Sequence, residues 1–189
     1  TDQNDVLLGG TKDDSLTGRG GHDTFTGGAG ADTFTVWQDT EDATSANGTK
    51  LTTITDFLSG TDTKISFANT AGTKVTMAIP GTAAQTAAGR AAIANTTGVV
   101  TFNTDDDSMA EKLVALSEGI CDGGDNGQGG AGTDGALGDA VLFSHGSDQY
   151  VYIEDGVLGV TTADTLIKLA DTSGDTYLTF TSGEITALV

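Results

Sequence analysis

The feature that most constrains this chain is a period of nine at its start. Three complete rows run Gly9-Gly10-Thr11-Lys12-Asp13-Asp14-Ser15-Leu16-Thr17, Gly18-Arg19-Gly20-Gly21-His22-Asp23-Thr24-Phe25-Thr26 and Gly27-Gly28-Ala29-Gly30-Ala31-Asp32-Thr33-Phe34-Thr35, and a cut row precedes them as Asn4-Asp5-Val6-Leu7-Leu8. The sixth place of each row is Asp (Asp5, Asp14, Asp23, Asp32) and the eighth is apolar (Leu7, Leu16, Phe25, Phe34). Six residues rich in Gly can reverse direction through left-handed backbone angles that other residues resist. The three that follow suffice for a short strand with one side chain turned inward. A repeat of this kind folds as a stack, because one row cannot bury its own apolar face.

If two rows make one turn of the stack, rows of like parity lie over one another. Asp5 then lies over Asp23, and Asp14 over Asp32. Two carboxylates and several turn carbonyls surround one gap, an oxygen-only shell suited to a hard cation such as Ca²⁺. One inward apolar residue in nine buries too little surface to offset the entropy of ordering the rest, so such a roll is expected to need its ions. A flexible Gly/Asp linker would share the composition, but it has no reason to keep Asp and an apolar residue in phase. A phosphate-binding loop is excluded, since Gly18-Arg19-Gly20 does not lead from a strand into a helix and its surroundings are acidic.

These rows match the pattern G-G-x-G-x-D-x-U-x and resemble the RTX calcium-binding family. The resemblance implies a short parallel β-roll with calcium in its turns. The metal-site residues it implies are the carboxylates Asp5, Asp14, Asp23 and Asp32 with the turn positions Gly9, Gly10, Lys12, Gly18, Gly21, Gly27, Gly28 and Gly30. Two places depart from the pattern. Lys12 replaces the fourth-place Gly and Arg19 the second-place Gly; a positive φ at either costs on the order of 1 kcal/mol, and each brings a positive charge. The Asp14/Asp32 site is accordingly expected to be the weaker one. Downstream, Thr53 to Phe67 reads as two strands around a turn, and its D-F-x-x-G-x-D pattern resembles the segment that closes the roll in secreted RTX proteins. That likeness implies a further ion at Asp56 and Asp62; the plain alternative is a turn with two solvated Asp residues.

The net charge of -19 over 189 residues comes mainly from Asp, 22 of the 27 acids. The bias toward the short carboxylate points to turns and cation ligands, and such a surface repels nucleic acid and anionic membranes. No apolar run reaches membrane-spanning length. The single Cys, Cys121, allows no internal disulfide; it reads as a small structural residue or as one partner of a bridge between chains. The chain opens in mid-repeat, so it is expected to be part of a longer protein.

After the roll, Gln38 to Lys50 reads as a polar loop, Thr73 to Ile79 as a strand stopped by Pro80-Gly81, and Thr82 to Asn95 as an alanine-rich helix. Gly98 to Asn103 suggests a strand. Ser108-Met109-Ala110-Glu111 forms a capping box that opens a second helix, with Met109, Leu113, Leu116 and Ile120 on its apolar face. Asp122 to Gly138 reads as a surface loop, although Gly129-Gly130-Ala131-Gly132-Thr133-Asp134 copies one repeat turn. Ala140 to Asp155 predicts a hairpin turning near Gly146, and Thr165 to Leu169 and Tyr177 to Phe180 further strands.

The fold class expected is therefore mainly β: a calcium roll with its closing segment over 1–70, and a β-rich domain with about two helices over 71–189. The last third also resembles the ends of large RTX surface proteins, S-layer proteins among them, that leave the cell by one-step type I machinery. This implies an export signal in the residues through Val189. Catalysis is not expected within the chain. His22 and His145 lie in no zinc motif, no nucleophilic Ser motif is present, and one Trp, Trp37, gives little support to a sugar cleft. The partners implied are calcium, the type I secretion machinery, and either other copies in a surface lattice or a surface glycan. The alternatives are the folding and export tail of a secreted enzyme and a glycan-binding module.

Overall fold

The computed structural model describes residues 3–38, 51–57, 63–78, 91–93, 98–102, 104–121, 137–157, 164–170 and 178–188. The repeat rows supply the first four strands, β1 (Val6–Gly10), β2 (Ser15–Arg19), β3 (Thr24–Gly28) and β4 (Thr33–Trp37). β1 pairs in parallel with β3, placing Leu7 beside Phe25, and β2 with β4, placing Leu16 beside Phe34. Successive rows thus go to opposite sheets, and rows of like parity stack. β5 (Thr52–Ile54) and β6 (Lys64–Ala68) add a third coil in the same sense, β5 parallel to β3 and β6 parallel to β4.

Both sheets then continue into the rest of the chain. β7 (Lys74–Val75) pairs with the end of β6, and β8 (Ala92–Ile93) pairs with β9 (Val100–Thr101). After helix α1 (Met109–Cys121) come β10 (Ala140–His145) and β11 (Asp148–Ile153), the expected hairpin, with Gly146 at φ 64 in its turn. β12 (Thr165–Leu169) pairs antiparallel with β11 on one side and parallel with β5 on the other. The last two strands, β13 (Leu178–Thr181) and β14 (Glu184–Leu188), form a hairpin whose inner strand meets β6. One sheet therefore runs β1-β3-β5-β12-β11-β10 and the other β13-β14-β6-β4-β2. The change of composition near residue 70 is not a break in either sheet.

The space between the sheets holds Phe25, Phe34, Ile54, Ile65 and Phe67 from the coils together with Leu142, Val151, Ile153, Ile167, Leu169 and Ile185 from the later strands. Each such side chain contributes about 1.5–3 kcal/mol when fully buried. The apolar contact missing within single rows is supplied here by strands more than 100 residues away, such as Ile167 and Leu169 opposite Thr52 and Ile54. A second cluster covers the outer face of the β10-β11-β12 sheet, where Met109, Leu113 and Leu116 of α1 pack with Val141, Phe143, Tyr150, Tyr152 and Leu166. The capping box forms as the spacing predicts: the Ser108 N–H donates to Glu111 Oε2 at 2.9 Å and the Glu111 N–H to Ser108 Oγ at 3.2 Å.

Two expectations change. Among the described residues there is one helix, α1, and Ala92–Ile93, at the end of the alanine-rich stretch expected to be helical, is a strand. Ala91 is buried and donates its N–H to the Ala115 carbonyl of α1 at 3.1 Å, so tertiary contacts override helix propensity there. The strand expected over 73–79 is also shorter. Its later residues bond outside any named strand: Met77 N–H donates to the Gly183 carbonyl, and Ala78 bridges to Asp139, donating to the Gly138 carbonyl and accepting the Ala140 N–H. The rest of the alanine-rich stretch, Pro80-Gly81, the loop over 39–50, Asp62 and residues 122–136 lie outside the described residues.

Candidate metal centre

The repeat turns bring their sixth-place carboxylates back onto the glycines that open each row. A Cβ built on Gly18 would stand 1.8 Å from Asp23 Oδ2, and one on Gly27 2.2 Å from Asp32 Oδ2. A Cβ on Gly9 would stand 2.4 Å from the Gly27 carbonyl oxygen and 2.9 Å from Asp14 Oδ2. Only Gly fits at these places, and around them gather Asp14 Oδ2, Asp32 Oδ2 and the Gly27 carbonyl.

The same carboxylates join the coils. Asp23 Oδ1 accepts the Asp5 N–H and Asp32 Oδ1 the Asp14 N–H, each at 2.9 Å and across 18 residues. Thr24 and Thr33 return N–H donors to the Asp5 and Asp14 carbonyls at 2.8 Å. Asp23 and Asp32 are buried, at 2% and 3% exposure. Buried charge must be paired or metal-bound to persist. Stacked carboxylates with carbonyls beside them form a donor set of oxygen alone, and this fits a hard cation such as Ca²⁺.

The remaining turn residues fall into place around this set. Gly28 has φ 94 and closes on the Gly10 carbonyl, at 2.1 Å from its would-be Cβ; Gly21 at φ 105 and Gly30 at φ 128 close on Gln3 and Lys12 two rows earlier. Of the two departures from the pattern, only Arg19 takes a positive φ, 72°. Lys12 keeps a negative φ, so the backbone strain expected there is absent. The strained turn therefore belongs to the row of Asp23, not that of Asp14.

Asp56 makes bonds the sequence did not foretell. Its Oδ1 accepts the Gly27 N–H at 2.9 Å and its Oδ2 the Gly28 N–H at 2.7 Å, so it clamps the last repeat turn from the third coil. Its companion Asp62 is outside the described residues. Two further residues escaped notice at the fifth place, where the sequence shows no constant residue. Asn4 Oδ1 accepts the His22 N–H and Asp13 Oδ1 the Ala31 N–H, each at 2.9 Å. Neighbouring Asx residues thus brace the stack in both directions.

Residues 1–34 match the family model described as the RTX calcium-binding nonapeptide repeat, in four copies. The opening coils are RTX repeats. The four copies correspond to the four rows, and the oxygen-lined turns are the part of the RTX unit that the glycine contacts define. No curated protein matches the chain. No helix among the described residues is long and apolar enough to cross a membrane. The RTX repeats support a calcium-binding module of an RTX-type secreted protein. In that module Asp14, Asp32 and the Gly27 carbonyl would hold the ion, which supplies the positive charge the stacked carboxylates lack.

Proposed function

We propose that this chain is the calcium-dependent folding module of a bacterial surface protein, of the S-layer or adhesin kind, exported through type I machinery and without catalytic activity of its own. The observation that carries the reading is the like-parity stacking of RTX rows, which sets Asp14 over Asp32 with the Gly27 carbonyl beside them. Where calcium is scarce the stacked carboxylates repel and the coils open, the state a narrow export channel requires. Outside, calcium near millimolar meets sites whose dissociation constants in extracellular modules are about 10⁻⁴ to 10⁻³ M. A site at a hundredfold excess over its dissociation constant adds about 2.7 kcal/mol to the folded state.

A surface role is favoured over a glycan-binding one by the aromatics of the last third. Among the described residues of that third, Phe143, Tyr150 and Tyr152 are buried under α1 instead of forming an exposed platform. The core shared by coils and later strands favours a structural module over a bare export tail, because export alone has no use for it.

The test is a calcium titration of the chain followed by far-UV circular dichroism and by size-exclusion chromatography with light scattering. The expected result is a gain of β structure between about 0.1 and 10 mM Ca²⁺, reversed by chelator and not reproduced by Mg²⁺, with larger species forming if the module builds a lattice. Equal β content in chelator would remove the folding switch and leave the ions as local braces on an independent core.

A further inference from the structure

Three carboxylates converge away from the roll, where β11 runs out and β12 begins. Ile153 and Thr165 are paired across these antiparallel strands. The residues just beyond, Glu154 and Asp164, therefore face one another, and Asp155 follows. One carboxylate oxygen from each of the three lies within 4.8 Å of the others. Glu154 and Asp164 are fully buried, and Asp155 is half-buried at the rim.

The bonding around them is incomplete at one atom. Glu154 Oε2 accepts the Tyr152 hydroxyl at 3.2 Å, Asp164 Oδ1 accepts the Asp155 N–H at 3.1 Å, and Asp155 Oδ1 accepts the Val157 N–H at 2.7 Å. Glu154 Oε1 is buried, and among the described residues no donor reaches it. A buried carboxylate oxygen without a partner is strongly disfavoured unless a positive charge or a proton stands against it.

We propose that Glu154, Asp155 and Asp164 form a second divalent-cation site, of the oxygen-ligated kind that takes calcium, separate from the nonapeptide turns. The ligands are all carboxylates, with no imidazole or thiolate to favour zinc. They come from the two residues that follow β11 and the one that precedes β12, an irregular set that suits the six to eight flexible ligands of Ca²⁺ better than the strict octahedron of Mg²⁺. Asp155 at the rim gives the ion and its remaining waters a way in. Burial, with the Asp164 charge acting in the same direction, pushes the Glu154 carboxyl up to about 9; a bound cation reverses that preference for the neutral form. The ion would lock β11 to β12, and β12 is the strand that joins the roll through β5. The competing arrangement is a proton shared by Glu154 and Asp164, which needs no metal.

The two are separated on the whole chain. Crystals of the unaltered protein grown with Ca²⁺ and soaked with Tb³⁺ are expected to show an anomalous peak between Glu154 and Asp164; no peak there overturns the proposal, whatever the roll shows. The roll is read from its own peaks at Asp14 and Asp32, so failure of one site is distinguished from failure of the other. In solution, Glu154→Gln combined with Asp164→Asn is expected to lower the bound calcium by one ion per chain, measured by atomic emission after equilibrium dialysis. An unchanged count in a folded double variant overturns the proposal. If the double variant does not fold, the crystallographic result on the unaltered chain decides.

Discussion

Asp56 shows how one side chain can govern a turn 29 residues away. Both of its oxygens are spent on the Gly27 and Gly28 amides, and Gly28 sits in a left-handed conformation pressed on Gly10. Asp56→Ala leaves both amides without their acceptor. The expected loss is about 2–3 kcal/mol, read as a lower urea midpoint at fixed calcium, and Asp56→Asn should recover part of it through its single carbonyl oxygen. At this scale the sequence was legible where chemistry and phase coincide. Asp at the sixth place and an apolar residue at the eighth could be read from spacing alone. Asn4 and Asp13 could not, because their partners are the backbone amides of His22 and Ala31, and an amide donor leaves no mark on residue type.

The elements divide according to whether their cause is local. The capping box is local, and it formed as its four letters predict. Glu111 accepts from both the Ser108 amide and the Ser108 hydroxyl, and these bonds hold its carboxyl below the ordinary value of 4.5. The folded chain thus binds fewer protons here than the unfolded one, so this contribution is present above pH 4.5 and is lost as pH falls through the lowered value. Ser108→Ala should lower stability by about 1 kcal/mol at neutral pH and flatten the acid limb of the stability profile, measured by thermal unfolding between pH 3 and pH 7. The Ala92–Ile93 strand has a distant cause. Its partner is Val100–Thr101, and alanine's helix preference, a few tenths of a kcal/mol per residue over most alternatives, is too small to resist that pairing. β14 was missed for a similar reason: its contact with β6 joins Ile185 to Ile65, a pairing no window of sequence contains.

For the molecule as a whole, the coils and the later strands share one core, and this changes what calcium must do. Phe25 and Phe34 pack in a cluster that also holds Ile153 and Ile167, so the roll draws apolar support that its own rows lack. The folding free energy left for ions to supply in the proposed switch is then the part that the repulsion of the stacked carboxylates withholds from this shared core. The join also fixes something about length. Each row changes sheet, β5 must reach β12, and β6 must reach β14. Adding one row of nine would exchange the sheets of β5 and β6 and tear both joins, whereas adding two rows, the 18 residues that separate stacked partners, would restore them. A chain lengthened by 18 residues between Thr26 and Gly27 should therefore stay soluble and gain bound calcium, while one lengthened by nine should aggregate or lose its β signal. Growth of such a gene would be counted in pairs of rows, an even-number rule set by the two strands waiting at the far end.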